Sequence, residues 1–258
     1  MEKEKKFKLN SISVLQIVSV IALLAAMQFA VDTGRVLPIF LASPTSIVRE
    51  GIKIMTNGTL WPHLLLTLEE AYLGYGLAAV TGIAIGLLWV LFPKLESFMN
   101  VFCSAIMAVP KVAILPLLIL WFGIGFESKV FLIYLSSLFT ILYNTVTGAK
   151  QCRQEYLKVA KVFQASRVQT VLGVIIPAAT PSIFNGLKLS AATAVTMVLF
   201  AEMNAAKAGL GYLLVTAQNL LNTPQTFFLI ILVTLLAVIN VKLVGLVEYA
   251  VCHKWRRI

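Results

Sequence analysis

Apolar residues gather in six long runs, at about 12–31, 64–91, 98–122, 129–148, 181–203 and 226–249, separated by polar or basic segments. A helix crossing the hydrocarbon core needs about 20 mostly apolar residues. Each run therefore predicts one membrane-spanning helix. The second is long enough to tilt or protrude. The third contains Pro110 and Pro116, which remove helix hydrogen bonds and predict a kink. Breaks in a span are tolerated where neighbouring helices or water satisfy the backbone. The third span is thus expected to pack inside the bundle instead of facing lipid.

The segments between the runs carry their own patterns. In the first loop, about 32–63, Ser43-Pro44-Thr45 precedes Ile47, Val48, Ile52 and Ile54, which predicts a short amphipathic helix at the membrane surface. The loop at about 149–180 places Val159, Val162 and Phe163 at helical spacing, with Lys158, Lys161 and Gln164 on other faces. Ser166 and Gln169 fit a capping box, so a second short helix should start there and end before Pro177. Thr180 and Pro181 then read as the cap and first residue of the fifth span. The loop reads as helix, turn, helix and return to the membrane. Two uses fit it: an amphipathic connector lying on the inner leaflet, or a docking element for a cytoplasmic partner.

Composition agrees with the runs. The chain is 59% hydrophobic and 12% charged, where a soluble domain carries roughly 25% charged residues. The net charge of +10 could suggest nucleic acid, but the cations sit between apolar runs and no nucleic-acid motif accompanies them. Their distribution orients the chain instead. With the N-terminus inside, the inner segments hold Lys3, Lys5, Lys6, Lys8, Lys94, Lys150, Arg153, Lys158, Lys161, Arg167, Lys188, Lys254, Arg256 and Arg257. The outer ones hold Arg35, Arg49, Lys53, Lys129 and Lys207. This excess of roughly three to one predicts six spans with both termini cytoplasmic. The basic start, Met1 to Lys8, could open a signal peptide, but no clear small-residue cleavage site follows, so the first run is read as a retained helix.

Cys103, Cys152 and Cys252 are far apart and odd in number, which predicts free thiols, and the presence of just two histidines argues against a His-rich metal site. No catalytic constellation stands out. Candidate path residues are few. Glu202, close to the outer end of the fifth span, is either a pathway or gating group or a structural hydrogen-bond partner. Glu69 and Glu70 point about 100° apart on a helix, and a solvated interfacial pair is expected in preference to a cation-attracting mouth. Asn144 and Thr145 either line the path or bond across helices. Pro110, Pro116 and Trp121 join them as candidates because the third span would bend beside the path. Gly82 and Gly86 form GxxxG, and Ser190 and Ala194 a small-xxx-small pair, both of which favour close helix approach.

The loop's spacing resembles the ATPase-docking loop of bacterial ABC importer permeases, which read Glu-Ala-Ala, three residues, Gly, nine residues, Ile-x-Leu-Pro. The run Val109-Pro110-Lys111-Val112-Ala113-Ile114-Leu115-Pro116, continuing to Trp121-Phe122-Gly123-Ile124-Gly125, is similar to the branch serving sulfonates, taurine, nitrate, bicarbonate and thiamine precursors. Leu60-Trp61-Pro62-His63, Tyr143-Asn144-Thr145, Gly209-Leu210-Gly211-Tyr212 and Ala217-Gln218-Asn219 also match. The resemblance covers nearly all of the chain beyond the first span. It departs at two places: the docking-loop Glu falls at Lys158 and the Gly at Gln164. A Gln in a left-handed position costs about 1 kcal/mol, so the turn is expected to change shape or shift to Ala165.

The resemblance implies an all-α, polytopic permease of the type I importer kind in the bacterial plasma membrane. Residues 1–63 would form the basic tail, first helix and outer loop, and 64–258 the permease core. Lys158, Val159, Ala160, Lys161, Val162, Phe163, Gln164, Ala165 and Ser166 would dock the ATPase. It further implies two permease copies, a binding protein delivering a small polar solute from outside, and no cofactor in this chain. ATP and Mg would be bound by the partner, since no GxxxxGK[ST] loop occurs here. A secondary transporter and a membrane scaffold for a cytoplasmic enzyme are the alternatives; the first is disfavoured by the lack of an inverted repeat.

Overall fold

The computed structural model describes residues 11–252. The basic tail at Met1–Lys8 and the cations Lys254, Arg256 and Arg257 lie outside them. Among the described residues every regular element is helical: α1 Ser11–Asp32, α2 Pro44–Thr56, α3 Leu60–Leu91, α4 Pro93–Ala108, α5 Leu115–Phe122, α6 Phe126–Lys150, α7 Gln154–Val162, α8 Arg167–Thr170, α9 Ile176–Ala205, α10 Leu210–Asn219 and α11 Thr223–Cys252. Among the described residues, five stretches are long and apolar enough to cross a membrane: Val14–Asp32, Leu60–Leu91, Phe126–Lys150, Arg167–Asn204 and Thr223–Cys252. The pair α4 and α5 makes a sixth if its two pieces count as one broken span.

The chain divides into two compact units, one holding the segment up to Thr59 with Leu214–Ile231, the other Leu60–Leu213 with the chain from Leu232 onward. In the first, Ser43 caps α2 by accepting from the Ser46 amide, and Pro44 occupies its first turn. The face of α2 that packs carries Ile47, Gly51 and Ile54, while Val48 and Ile52 are exposed. Gly51 is needed because the Phe228 ring lies 2.3 Å from where a Cβ would stand. Asn222 donates to Glu50 at 3.3 Å, and Thr223 to the Ile39 carbonyl at 2.8 Å.

The second unit is built on α3, α6 and α9. The buried stripe of α3 includes Ala71, Gly74, Ala78, Gly82 and Gly86. Small side chains bring backbones together where lipid gives helices no hydrophobic drive to associate. A Cβ on Gly74 would meet Ile133 and the Val130 carbonyl at 2.7 Å, and one on Gly86 would meet Thr145 at 2.8 Å. On α9, Gly186 faces Asn144 in the same way at 2.7 Å, and Ser190 donates to the Ser137 carbonyl at 3.2 Å. The GxxxG and Ser190–Ala194 faces are therefore spent on contacts within one chain.

Two expectations are corrected at prolines. The third span is not a kinked helix packed among the others. Val109 and Pro110 are extended, α4 and α5 meet at 85°, and only Cys103, Leu115 and Leu118 of the two helices are buried. Pro110 pushes the residue before it out of the helical region, which ends α4. Pro116 sits in the first turn of α5, where its missing N–H deprives no partner. The second correction concerns the fifth span. The helical run that starts at Arg167 does not break off before Pro177, and Pro181 does not begin a helix. A π-helical stretch, Val171–Ile175, joins α8 to α9, and the Ile176 amide bonds to the carbonyl of Val171, five residues back. That wider turn relieves the clash Pro177 would make four residues upstream. Pro181 lies inside α9, and the Thr180 hydroxyl donates to the Ile176 carbonyl at 2.8 Å instead of capping.

Candidate functional site

The connecting loop is held by three local devices. The last turn of α7 closes through Gln164, whose φ is +54°. The Gln164 amide bonds to the Lys161 carbonyl and the Ala165 amide to the Ala160 carbonyl, both at 3.0 Å, a 5→2 and 6→1 pair that satisfies two end carbonyls. The left-handed residue is thus Gln164 itself, and the expected shift to Ala165 does not occur. Ser166 and Gln169 then form the capping box: the serine hydroxyl accepts from the Gln169 amide at 3.2 Å, and the glutamine carbonyl accepts from the Ser166 amide at 2.8 Å. Lys161 falls in the last turn of α7 and Glu155 in the first, the signs that the helix dipole favours.

This scaffold turns Ala160 inward and most of the rest outward. Val162 is 79% and Phe163 80% exposed, with Val159 and Tyr156 about half exposed beside them. Lys158, Gln164 and Ser166 are also exposed, and Ala165 is half-buried. The apolar stripe expected from the spacing is thus exposed among the described residues.

Glu202 belongs to a buried polar knot joining α3, α6 and α9 to the turn before α10. Its carboxylate accepts from the Thr67 hydroxyl at 2.7 Å and from the Gly211 amide at 2.7 Å. Thr67 in turn accepts from the Leu210 amide at 2.9 Å, and His63 Nδ1 accepts from the Gly209 amide at 2.9 Å. Glu70, fully buried, forms an ion pair with buried Lys129 and lies beside Glu202. Two carboxylates and one ammonium thus share a site closed to solvent. The expectation of a solvated Glu69–Glu70 pair fails for Glu70, although Glu69 is exposed. Lys129, an outer charge by sequence, is buried; Lys188, an inner one by sequence, sits in α9, paired with Glu248. Removing both leaves the charge bias unchanged in sign.

Of the other path candidates, Thr145 is fully buried and donates to the Ile141 carbonyl at 2.8 Å, and Asn144 donates to the Thr140 carbonyl at 2.8 Å. Both press on glycines of neighbouring helices. Pro110, Pro116 and Trp121 lie on the exposed broken pair, apart from those two. Beside that pair, Leu73, Leu77, Phe122, Phe126, Phe131 and Tyr134 line an apolar cleft of about 620 Å³. Sequence reasoning met His63, Gly209 and Gly211 only as parts of family-like segments, with no role in the knot, and missed Thr67. The available signal was two adjacent acids, Glu69 and Glu70, near the start of the second apolar run and a lysine, Lys129, at the start of the fourth.

Residues 78–251 match the family described as the inner membrane component of binding-protein-dependent transport systems. The chain is 31% identical to the putative aliphatic sulfonates transport permease protein SsuC of Bacillus subtilis, over 91% of this chain and 84% of that protein. It is 32% identical to the riboflavin transport system permease protein RibX of Chloroflexus aurantiacus, over 90% and 86%. The taurine transport system permease protein TauC of Escherichia coli is 30% identical over 85% and 82%. Among solved structures, an inward-facing form of the MetNI methionine ABC transporter aligns with a TM-score of 0.60 at 19% identity, covering 76% of this chain and 95% of that one. An amino acid ABC transporter with histidines aligns at 0.63 and 16%, covering 77% and 97%. At these identities the structural likeness speaks for the fold.

Proposed function

The chain belongs to the family of inner membrane components of binding-protein-dependent transport systems, and from that membership we propose how its parts divide the work of an ABC importer. It is a multi-pass permease subunit, and its relatives are transport permeases rather than catalysts. A partner ATPase binds and hydrolyses ATP with Mg. An extracellular binding protein delivers a small polar solute, within the range that spans sulfonates, taurine and riboflavin among the relatives.

The ATPase docks on α7 and the turn after it. The observation that carries this is the pair Val162 and Phe163, held outward on a helix closed at Gln164 and followed at once by the capped start of α8. An exposed aromatic on a fixed turn costs solvation unless a partner covers it, and covering it is worth about 1.5–3 kcal/mol. Lys158 in place of an acid leaves this contact dependent on shape. A second permease copy packs along the exposed broken pair, where Leu120, Trp121 and Phe122 flank the apolar cleft. Closure of the ATPases draws two docking loops together and switches the path between its openings.

Phe163→Asp is expected to weaken ATPase association by roughly 10- to 100-fold, read as loss of the ATPase from the purified complex. A variant that keeps the ATPase and substrate-stimulated hydrolysis sinks the docking assignment. The mass of the wild-type complex tests pairing, since a single copy with no second permease contradicts it.

The crossing of the broken pair is tested by single cysteines. Cys152 is a poor reporter because it is buried and burial pushes its thiol pKa up, leaving less thiolate to react. Exposed Lys53 and Arg153 serve better. With six crossings, Lys53→Cys labels with an impermeant reagent in intact cells, and Arg153→Cys labels only after permeabilisation. Labelling of both from the same side would make α4 and α5 a re-entrant loop.

A further inference from the structure

A cleft of about 510 Å³ lies between the α3–α4 elbow and the helix–turn–helix loop. Its floor is apolar: Val90 and Leu91 end α3, Val171 and Ile175 belong to the helical run that re-enters the membrane, and Leu157 closes it from α7. Its rim carries Lys161 and Arg167. Lys53, Lys129, Lys150 and Lys188 are each paired with a carboxylate. Among the described residues, neither Lys161 nor Arg167 has an ion pair or a side-chain hydrogen bond. Arg167 also sits in the first turn of its helix, where positive charge is the disfavoured sign.

We propose that this cleft binds one anionic phospholipid, with the phosphate between Lys161 and Arg167 and the upper acyl chain against Val90, Leu91, Val171 and Ile175. Depth favours a lipid over a soluble anion or a protein segment. The floor is made from the last turn of one membrane-crossing stretch and the first turns of another, Leu60–Leu91 and Arg167–Asn204. It therefore stands where the hydrocarbon gives way to headgroups. An amphipathic anion answers both surfaces, whereas inorganic phosphate would leave the apolar floor uncovered. Because the cleft shares Lys161 and Ala165 with the loop assigned to the ATPase, the bound lipid would brace the docking element from the membrane side. That bracing rests on the docking assignment; the binding itself does not.

The test uses the full chain purified without its partners, so it is independent of the Phe163 result. Native mass spectrometry with phosphatidylglycerol against phosphatidylcholine is expected to show one tight adduct for the anionic lipid only. Arg167→Gln and Lys161→Gln should each weaken it about fivefold, the contribution of one cation near a membrane surface. Lys94→Gln, next to Pro93 but outside the rim, removes the same charge and should leave the adduct unchanged. Equal weakening by Lys94→Gln, equal binding of both lipids, or displacement by millimolar inorganic phosphate would each overturn the proposal. Should Arg167→Gln fail to fold, the Lys161→Gln and Lys94→Gln pair carries the same comparison.

Discussion

Lys129→Met is expected to destabilise the protein by about 3–5 kcal/mol, because it leaves Glu70 buried with no counter-charge. Lys129 and Glu70 are 6% and 0% exposed at their side chains, so water cannot take over the lost partner. The double variant Lys129→Met with Glu70→Leu should regain most of that loss, since apolar residues of similar volume replace a buried pair at little cost. Glu202 then remains with its own donors, Thr67 and the Gly211 amide. Resistance of the purified chain to SDS denaturation reads both results. A loss under about 1 kcal/mol for Lys129→Met would mean the pair is solvated. A double variant as weak as the single would mean that Lys129 serves Glu202 more than Glu70.

The second large effect is expected at Gly211. An added Cβ would stand 2.4 Å from the Leu199 carbonyl oxygen, 2.7 Å from the Glu202 Cβ and 2.9 Å from the Met203 amide. Two of these are backbone atoms, so α10 must move away as a whole. The move would break the Gly211–Glu202 and Leu210–Thr67 hydrogen bonds in a site that offers no water in exchange. Gly211→Ala should therefore cost about 3 kcal/mol, combining overpacking with unmade buried bonds. Gly76, in α3, has nothing within 4 Å of where a Cβ would stand. Gly76→Ala should be neutral or stabilising by up to about 1 kcal/mol. Equal melting curves for the two variants would refute the close approach at Gly211.

The helices were legible because lipid demands continuity. An apolar run of spanning length has few other fates, and all six runs reappear as helices or as the broken pair. The capping box at Ser166 was legible because it is local: both hydrogen bonds lie within four residues. Proline was legible only as punctuation. Pro110 ends a helix, Pro116 starts one, Pro177 follows a π turn and Pro181 rides inside α9. The residue is the same in each case, and the carbonyl upstream decides what it does. Least legible was the knot, because Glu70 and Lys129 stand 59 positions apart and neither reveals its partner locally. The sequence suggested a solvated Glu70 and a hydrogen-bonded Glu202 as the ordinary readings. The second of these describes what Glu202 does here.

The small-residue stripe on α3 has a mechanical consequence. Gly74, Gly82 and Gly86 seat against α6 like teeth in a keyway, with Val130, Leu138 and Thr145 as the opposing stops. Turning α3 about its own axis would drive a larger neighbouring residue into those stops, and sliding it by one residue would do the same. Gly148 and Gly186 key α6 and α9 together through Ser182 and Asn144. Whatever motion the transport cycle needs, these three helices have to travel as a single block. The freedom to bend is left to the broken elbow between Ala108 and Lys111, where one extended dipeptide joins α4 to the next helical turn.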